Sequence, residues 1–123
     1  YGWYYIDANN KAPAWTGVVY FYNFITRDEI SPGPFGVETT LDHLEPGDFI
    51  QFRFNKEAFG HTPIIVAMGE PPTLDNTLVA AHSYDADWRP VSSYFFQEIR
   101  FLHILGAYAP QPWPQMPGPR PPV

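Results

Sequence analysis

The 15 prolines constrain this 123-residue chain most, because each one fixes φ and withholds a backbone donor. Long helices are disfavoured, and short elements separated by turns are expected. Hydrophobic residues, at 45%, and aromatics, at 18%, still supply enough material for a packed interior. The length suits one domain, or part of one. From Ala109 the text Ala-Pro-Gln-Pro-Trp-Pro-Gln-Met-Pro-Gly-Pro-Arg-Pro-Pro-Val favours an extended polyproline conformation, so a domain over residues 1–108 and a tail or linker over 109–123 are expected.

Along the chain, Ala12-Pro13-Ala14-Trp15-Thr16 reads as a turn into a helix that Thr16 caps. Val18, Phe21, Tyr22 and Ile25 recur at helical spacing and predict a short amphipathic helix up to about Arg27. The same residues also suit a strand. Ser31-Pro32-Gly33-Pro34-Phe35-Gly36 is expected to be a loop. Leu41 and Leu44 share a helical turn, and Glu45-Pro46-Gly47-Asp48 makes a tight turn. Phe49 to Phe54 alternates, with Ile50, Phe52 and Phe54 on one side and Gln51 and Arg53 on the other, which predicts a half-buried strand. Asn55 to Gly60 reverses the chain into His61 to Met68, apolar on both faces. Further strands at Leu78 to His82 and Ile99 to Leu105, with an irregular excursion from Asp85 to Ser93, complete an expected meander.

Seven basic and 13 acidic residues give a net charge of -6. No Lys/Arg cluster is present to neutralise a phosphate backbone, so nucleic acid is not an expected partner. No apolar run approaches the roughly 20 residues that span a bilayer, and no signal peptide opens the chain. The start at Tyr1, in the aromatic run Tyr1-Gly2-Trp3-Tyr4-Tyr5, leads us to expect an upstream segment. The chain contains no cysteine, which removes disulfides, thiolate metal sites and a thiol nucleophile together.

Among the four histidines, His61 opens one expected strand and His82 closes the next, ahead of Ser83-Tyr84-Asp85. If those strands are adjacent and antiparallel, the two imidazoles meet at one rim. Acyl transfer needs a nucleophile, a base and a group that orients the base. His61 is then the base, and His82 or Asp85 the orienter. The plainer alternative makes both histidines satisfied polar residues at a sheet rim, with Asp85, Asp87 and Arg89 in a solvated loop. A zinc site on His61, His82 and Asp85 ranks below these, because the spacing is no metal motif, and no cofactor is expected. Asp48 reads as a turn residue, His43 as a surface residue and His103 as a core-edge residue.

Leu44-Glu45-Pro46-Gly47-Asp48-Phe49-Ile50-Gln51-Phe52 followed by Gly60-His61-Thr62-Pro63-Ile64-Ile65-Val66 resembles the Pro-Gly-Asp and histidine strands of bacterial papain-like hydrolases of the NlpC/P60 and CHAP groups. The putative amidase domain family is the nearest match. It adds likeness around Trp15, in Ala81-His82-Ser83-Tyr84-Asp85, in Arg89-Pro90-Val91-Ser92-Ser93-Tyr94 and in Ile99 to Ile104. The resemblance runs in order from Trp3 to Ile104. It implies a papain-like α+β fold, an antiparallel sheet with an N-terminal helix, in which a cysteine at a helix start attacks an amide, His61 activates it and His82 orients the imidazole. The segment that would hold that cysteine should precede Tyr1, so the fold is expected to be incomplete at its N-terminus.

The resemblance thus implies an amidase or peptidase acting on a peptide or peptidoglycan-like substrate, outside the cell or at the cell wall. Its cysteine would come from upstream or from a companion chain. The alternative expectation is an inactive scaffold used for binding or assembly, with Trp3, Tyr4, Tyr5 and Trp15 as contacts.

Overall fold

A computed structural model describes residues 5–7, 10–11, 17–55, 57–80 and 88–109. In chain order these form β1 (Tyr5–Asp7), β2 (Asn10–Lys11), α1 (Val18–Ile25), β3 (Gly33–Thr39), β4 (Phe49–Arg53), β5 (Ile64–Ala67), β6 (Leu78–Ala80), β7 (Arg89–Pro90) and β8 (Glu98–Tyr108). Strands β1 and β2 pair with each other. The other six make one antiparallel sheet in the order β3-β8-β4-β5-β6-β7. The fold class is therefore α+β, with one helix among the described residues.

Alternation in β4 sets the two faces of this sheet. Ile50 and Phe52 are fully buried on one face and join Leu44, Ile65, Val79, Val91 and Tyr94 in the main core. Short 3₁₀ turns at Leu41–His43 and Val91–Ser93 adjoin Leu44 and Tyr94 of that cluster. The opposite face of β4 carries Phe49, Gln51 and Arg53, and α1 lies against it: the Phe21 and Phe49 rings meet edge to face at 4.9 Å. Phe24 and Ile25, both fully buried, form a second cluster with Phe21 and Ile104.

The helix reading of 18–25 holds and the strand alternative does not. The residue ahead of α1 is Gly17, which makes no side-chain cap bond, and Thr16 lies outside the described residues. The other end is tied down by Arg27. Its guanidinium donates to the carbonyls of Phe24 (2.7 Å), Pro34 (2.7 Å) and Ser31 (2.6 Å) and stacks at 3.8 Å over the Phe24 ring. Carbonyls that a helix end leaves unsatisfied thus find a cation, which also clamps the entry to β3.

The expected loop at 31–36 is corrected in part. Gly33, Pro34, Phe35 and Gly36 belong to β3, which pairs with β8 from Gly33↔Tyr108 to Thr39↔Phe101. An edge strand tolerates proline because one side of it has no ladder to donate to. The meander from β4 to β7 is present, but the last strand does not extend it: β8 inserts between β3 and β4. Gln51, read as polar and outward, is fully buried beneath α1. No helix among the described residues is long and apolar enough to cross a membrane. The proline-rich segment 110–123 lies outside the described residues.

Candidate functional site

The Glu45-Pro46-Gly47-Asp48 turn closes with the Asp48 amide donating to the Glu45 carbonyl at 3.0 Å, and Gly47 takes φ 99°. Pro then Gly at the two central positions is what such a turn requires. The turn launches β4, and the chain returns through Gly60 to His61. His61 pairs with Phe52: the Phe52 amide donates to the His61 carbonyl, and the Gly60 amide to the Phe52 carbonyl, each at 3.0 Å. The imidazole therefore stands on the Phe52 side of the sheet, away from α1.

Three rings surround it. Centroid distances from His61 are 5.6 Å to Tyr94, 6.1 Å to Phe52 and 6.2 Å to Phe54. Burial among them lowers the His61 pKa from its ordinary value of 6.5, and the positive charge of Arg89 lowers it further. The ring is thus held unprotonated at neutral pH, although as a weaker base than a free imidazole. Its imidazole makes no side-chain hydrogen bond to another described residue.

Tyr94 is only 8% exposed, and its hydroxyl has no hydrogen-bond partner among the described residues. Burial raises its pKa, while the nearby Arg89 charge opposes that rise. Arg89 stacks over the Tyr94 ring at 3.8 Å and lies close enough to the phenol oxygen to favour its ionised form as a weak donor would, yet no described N–H meets that oxygen in full hydrogen-bond geometry. The guanidinium is fixed from the other side by the 3₁₀ turn: Nε donates to Ser93 Oγ at 2.7 Å, and Nη2 to the Ser93 carbonyl at 2.9 Å. Ser93 Oγ in turn donates a hydrogen bond to the Pro90 carbonyl at 2.7 Å. The solvated-loop reading of Arg89 is corrected: it is partly buried beside His61.

A carboxylate and another imidazole meet at the far end of the same sheet face. Asp48 Oδ2 lies 2.7 Å from His103 Nδ1 and accepts the Glu45 amide at 2.9 Å, and Oδ1 accepts the Ile104 amide at 2.8 Å. Asp48 is 3% exposed. Four residues of strand separate it from Phe52 and His61, about 13 Å at strand rise. Asp48 does more than finish its turn, since it anchors β8 to β4. His43 is exposed and shares Thr40 Oγ1 with Asp42, as a surface residue would.

Between α1 and the sheet lies a polar layer. Gln51 donates to the Val18 carbonyl at 3.0 Å and to Thr62 Oγ1 at 2.9 Å, and accepts from Arg100 Nε at 2.8 Å. Arg100 sits between the Tyr22 and Phe59 rings at 3.6 and 3.9 Å, and Tyr22 donates to Glu38 at 2.6 Å. Thr62 faces α1 and His61 faces away, so one residue of strand separates a structural polar layer from the candidate site.

Of the three residues expected at the site, His61 is described, and His82 and Asp85 lie outside the described residues. Strands β5 and β6 are adjacent and antiparallel, with Ile64 opposite Ala80. Among the described residues no cluster of His, Asp or Glu could hold a metal ion. Trp3, Tyr4 and Trp15, expected as binding contacts, also lie outside the described residues, and of Tyr5 only the backbone is described. The sequence reading did not single out Arg89 and Tyr94 as site residues. Their shared segment with Ser93 carried the resemblance, but nothing in its spacing shows that a guanidinium and a phenol fold back onto His61.

His61 thus stands where the chain returns along β4, an imidazole held unprotonated by its aromatic walls and the Arg89 charge. The chain matches the model of the putative amidase domain over residues 1–105, and it belongs to that family. No curated protein and no solved structure matches it.

Proposed function

We propose that this chain is the histidine-bearing part of a papain-like amidase or peptidase that cleaves peptide or cell-wall amide bonds at the cell wall or outside the cell. The observation that supports this reading best is His61, a neutral imidazole with no side-chain hydrogen bond to another described residue, in a family of amidase domains. The nucleophile is a cysteine carried upstream of Tyr1 or on a companion chain. Because α1 covers the opposite face, that cysteine must approach from the Phe52 side, beside Tyr94 and Arg89.

In this scheme His61 takes the proton from the thiol, and the thiolate attacks the amide carbonyl carbon. As the tetrahedral adduct collapses, the C–N bond breaks and His61 returns the proton to the leaving amine. Water then attacks the thioester carbon, giving a proton to His61; the C–S bond breaks, the acid leaves, and His61 returns the proton to the thiolate. His82 or Asp85 orients the imidazole, and residues 109–123 form a tail or linker.

In the native polypeptide or complex that supplies the cysteine, His61→Ala should slow hydrolysis of peptide and peptidoglycan-fragment amides by about 10²–10⁴-fold. Circular dichroism should show the fold retained. Unchanged turnover in the variant overturns the proposal. A wild-type protein that binds these amides without cleaving them would instead assign the chain to the scaffold class.

A further inference from the structure

We propose that Arg89 and Tyr94, next to His61, form a subsite for a carboxylate that the substrate carries one residue from its scissile amide. The proposal names the substrate class of the hydrolase site and rests on that reading for its catalytic meaning. The carboxylate site itself stands on the geometry alone.

Three observations converge on it. The Arg89 guanidinium is held in place by Ser93 through Nε and Nη2, which leaves Nη1 and one Nη2 proton uncommitted among the described residues. No carboxylate of a described residue forms an ion pair with it. The Tyr94 side chain is more than nine-tenths buried and its hydroxyl has no partner in hydrogen-bond geometry among the described residues, so it is a donor available to an acceptor, and leaving it unmade costs about 1–3 kcal/mol. A fixed guanidinium beside a phenol donor matches a carboxylate, which accepts on both oxygens.

Such an arrangement has a catalytic consequence. A bare cation beside His61 disfavours the imidazolium, which must form when the thiol gives up its proton. A bound carboxylate offsets that charge, so the base gains proton affinity when the correct substrate is seated. Amides that lack the carboxylate leave His61 a weaker base. Discrimination then arises from charge at the base as well as from contact.

The test uses the 123-residue chain and two probes, N-acetylglycine and its neutral amide, N-acetylglycinamide. Titration followed by the NMR signal of the His61 ring should show saturable binding of the acid, with the ring's midpoint moving up in pH. The neutral amide should do neither. Arg89→Gln should raise the midpoint in the free protein and abolish the response to the acid. Tyr94→Phe removes only an unpaired hydroxyl, so it should fold as the wild type does and bind the acid about tenfold more weakly.

Equal responses to acid and amide, or undiminished acid binding in both variants, overturn the inference. So does acid binding that appears only after Asp85→Asn or Asp87→Asn, because the subsite would then be one half of an internal ion pair. Acid binding without hydrolytic turnover in the native polypeptide or complex that supplies the cysteine defeats the hydrolase reading alone. Loss of turnover in His61→Ala without acid binding defeats the subsite alone.

Discussion

Asp48 shows how much one buried side chain does beyond its local turn. Its carboxylate accepts from two backbone amides and faces His103 Nδ1, all within 2.9 Å. Asparagine has nearly the same shape but only one acceptor oxygen, and its amide nitrogen would point at another donor. Hydrogen bonds to a charged group contribute about 1.5–3 kcal/mol each, and a buried mismatch adds its own penalty. Asp48→Asn should therefore lower the unfolding free energy in urea by about 3 kcal/mol, and a change below 1 kcal/mol would mean the pairing does not matter. The Pro-Gly-Asp sequence predicts the turn and the carboxylate within it. Nothing in it reveals His103 as the partner, 55 residues away.

At the scale of elements, β3 and α1 each depend on one closely fitted position. A Cβ added at Gly36 would lie 2.2 Å from the His103 carbonyl oxygen, and backbone cannot yield as a flexible side chain can. Gly36→Ala should cost about 2 kcal/mol or more and speed hydrogen exchange along β3 and the outer half of β8 before it affects β5 or β6. Under α1, Gln51 meets three polar partners in a fully buried position. Gln51→Leu leaves Arg100 Nε and the Val18 carbonyl without that partner, so α1 amides should exchange faster by about tenfold, with the β4–β8 ladder protected as before. The helix was legible from its 3.6-residue period. The edge strand was not, because Pro and Gly suppress the alternation that marks strands, and only pairing with β8 draws that segment into the sheet.

For the molecule as a whole, the His61 cluster couples folding to pH. The folded state holds this imidazole below its ordinary 6.5, whereas the unfolded chain does not, so between that value and the folded pKa only the unfolded state takes up the proton. Stability contributed this way is complete above pH 6.5, falls as the pH drops through the window, and levels off below the folded pKa. In His61→Gln the urea midpoint should lose that part of its fall between pH 7 and pH 5, and an unchanged slope would place the titration elsewhere. By itself the sequence determined the local elements and the family: the 3.6-residue period gave α1, alternation gave β4, Pro46-Gly47 gave the turn, and the ordered motifs from Trp3 to Ile104 gave the amidase resemblance. These rest on short-range sterics and on patterns that one stretch of chain carries alone. Tertiary structure alone decided that β8 enters between β3 and β4, that Gln51 is covered by α1, and that Arg89 and Tyr94 close upon His61. Each of these joins residues 28 to 75 positions apart, where the outcome depends on which faces pack together, and no local period records that choice.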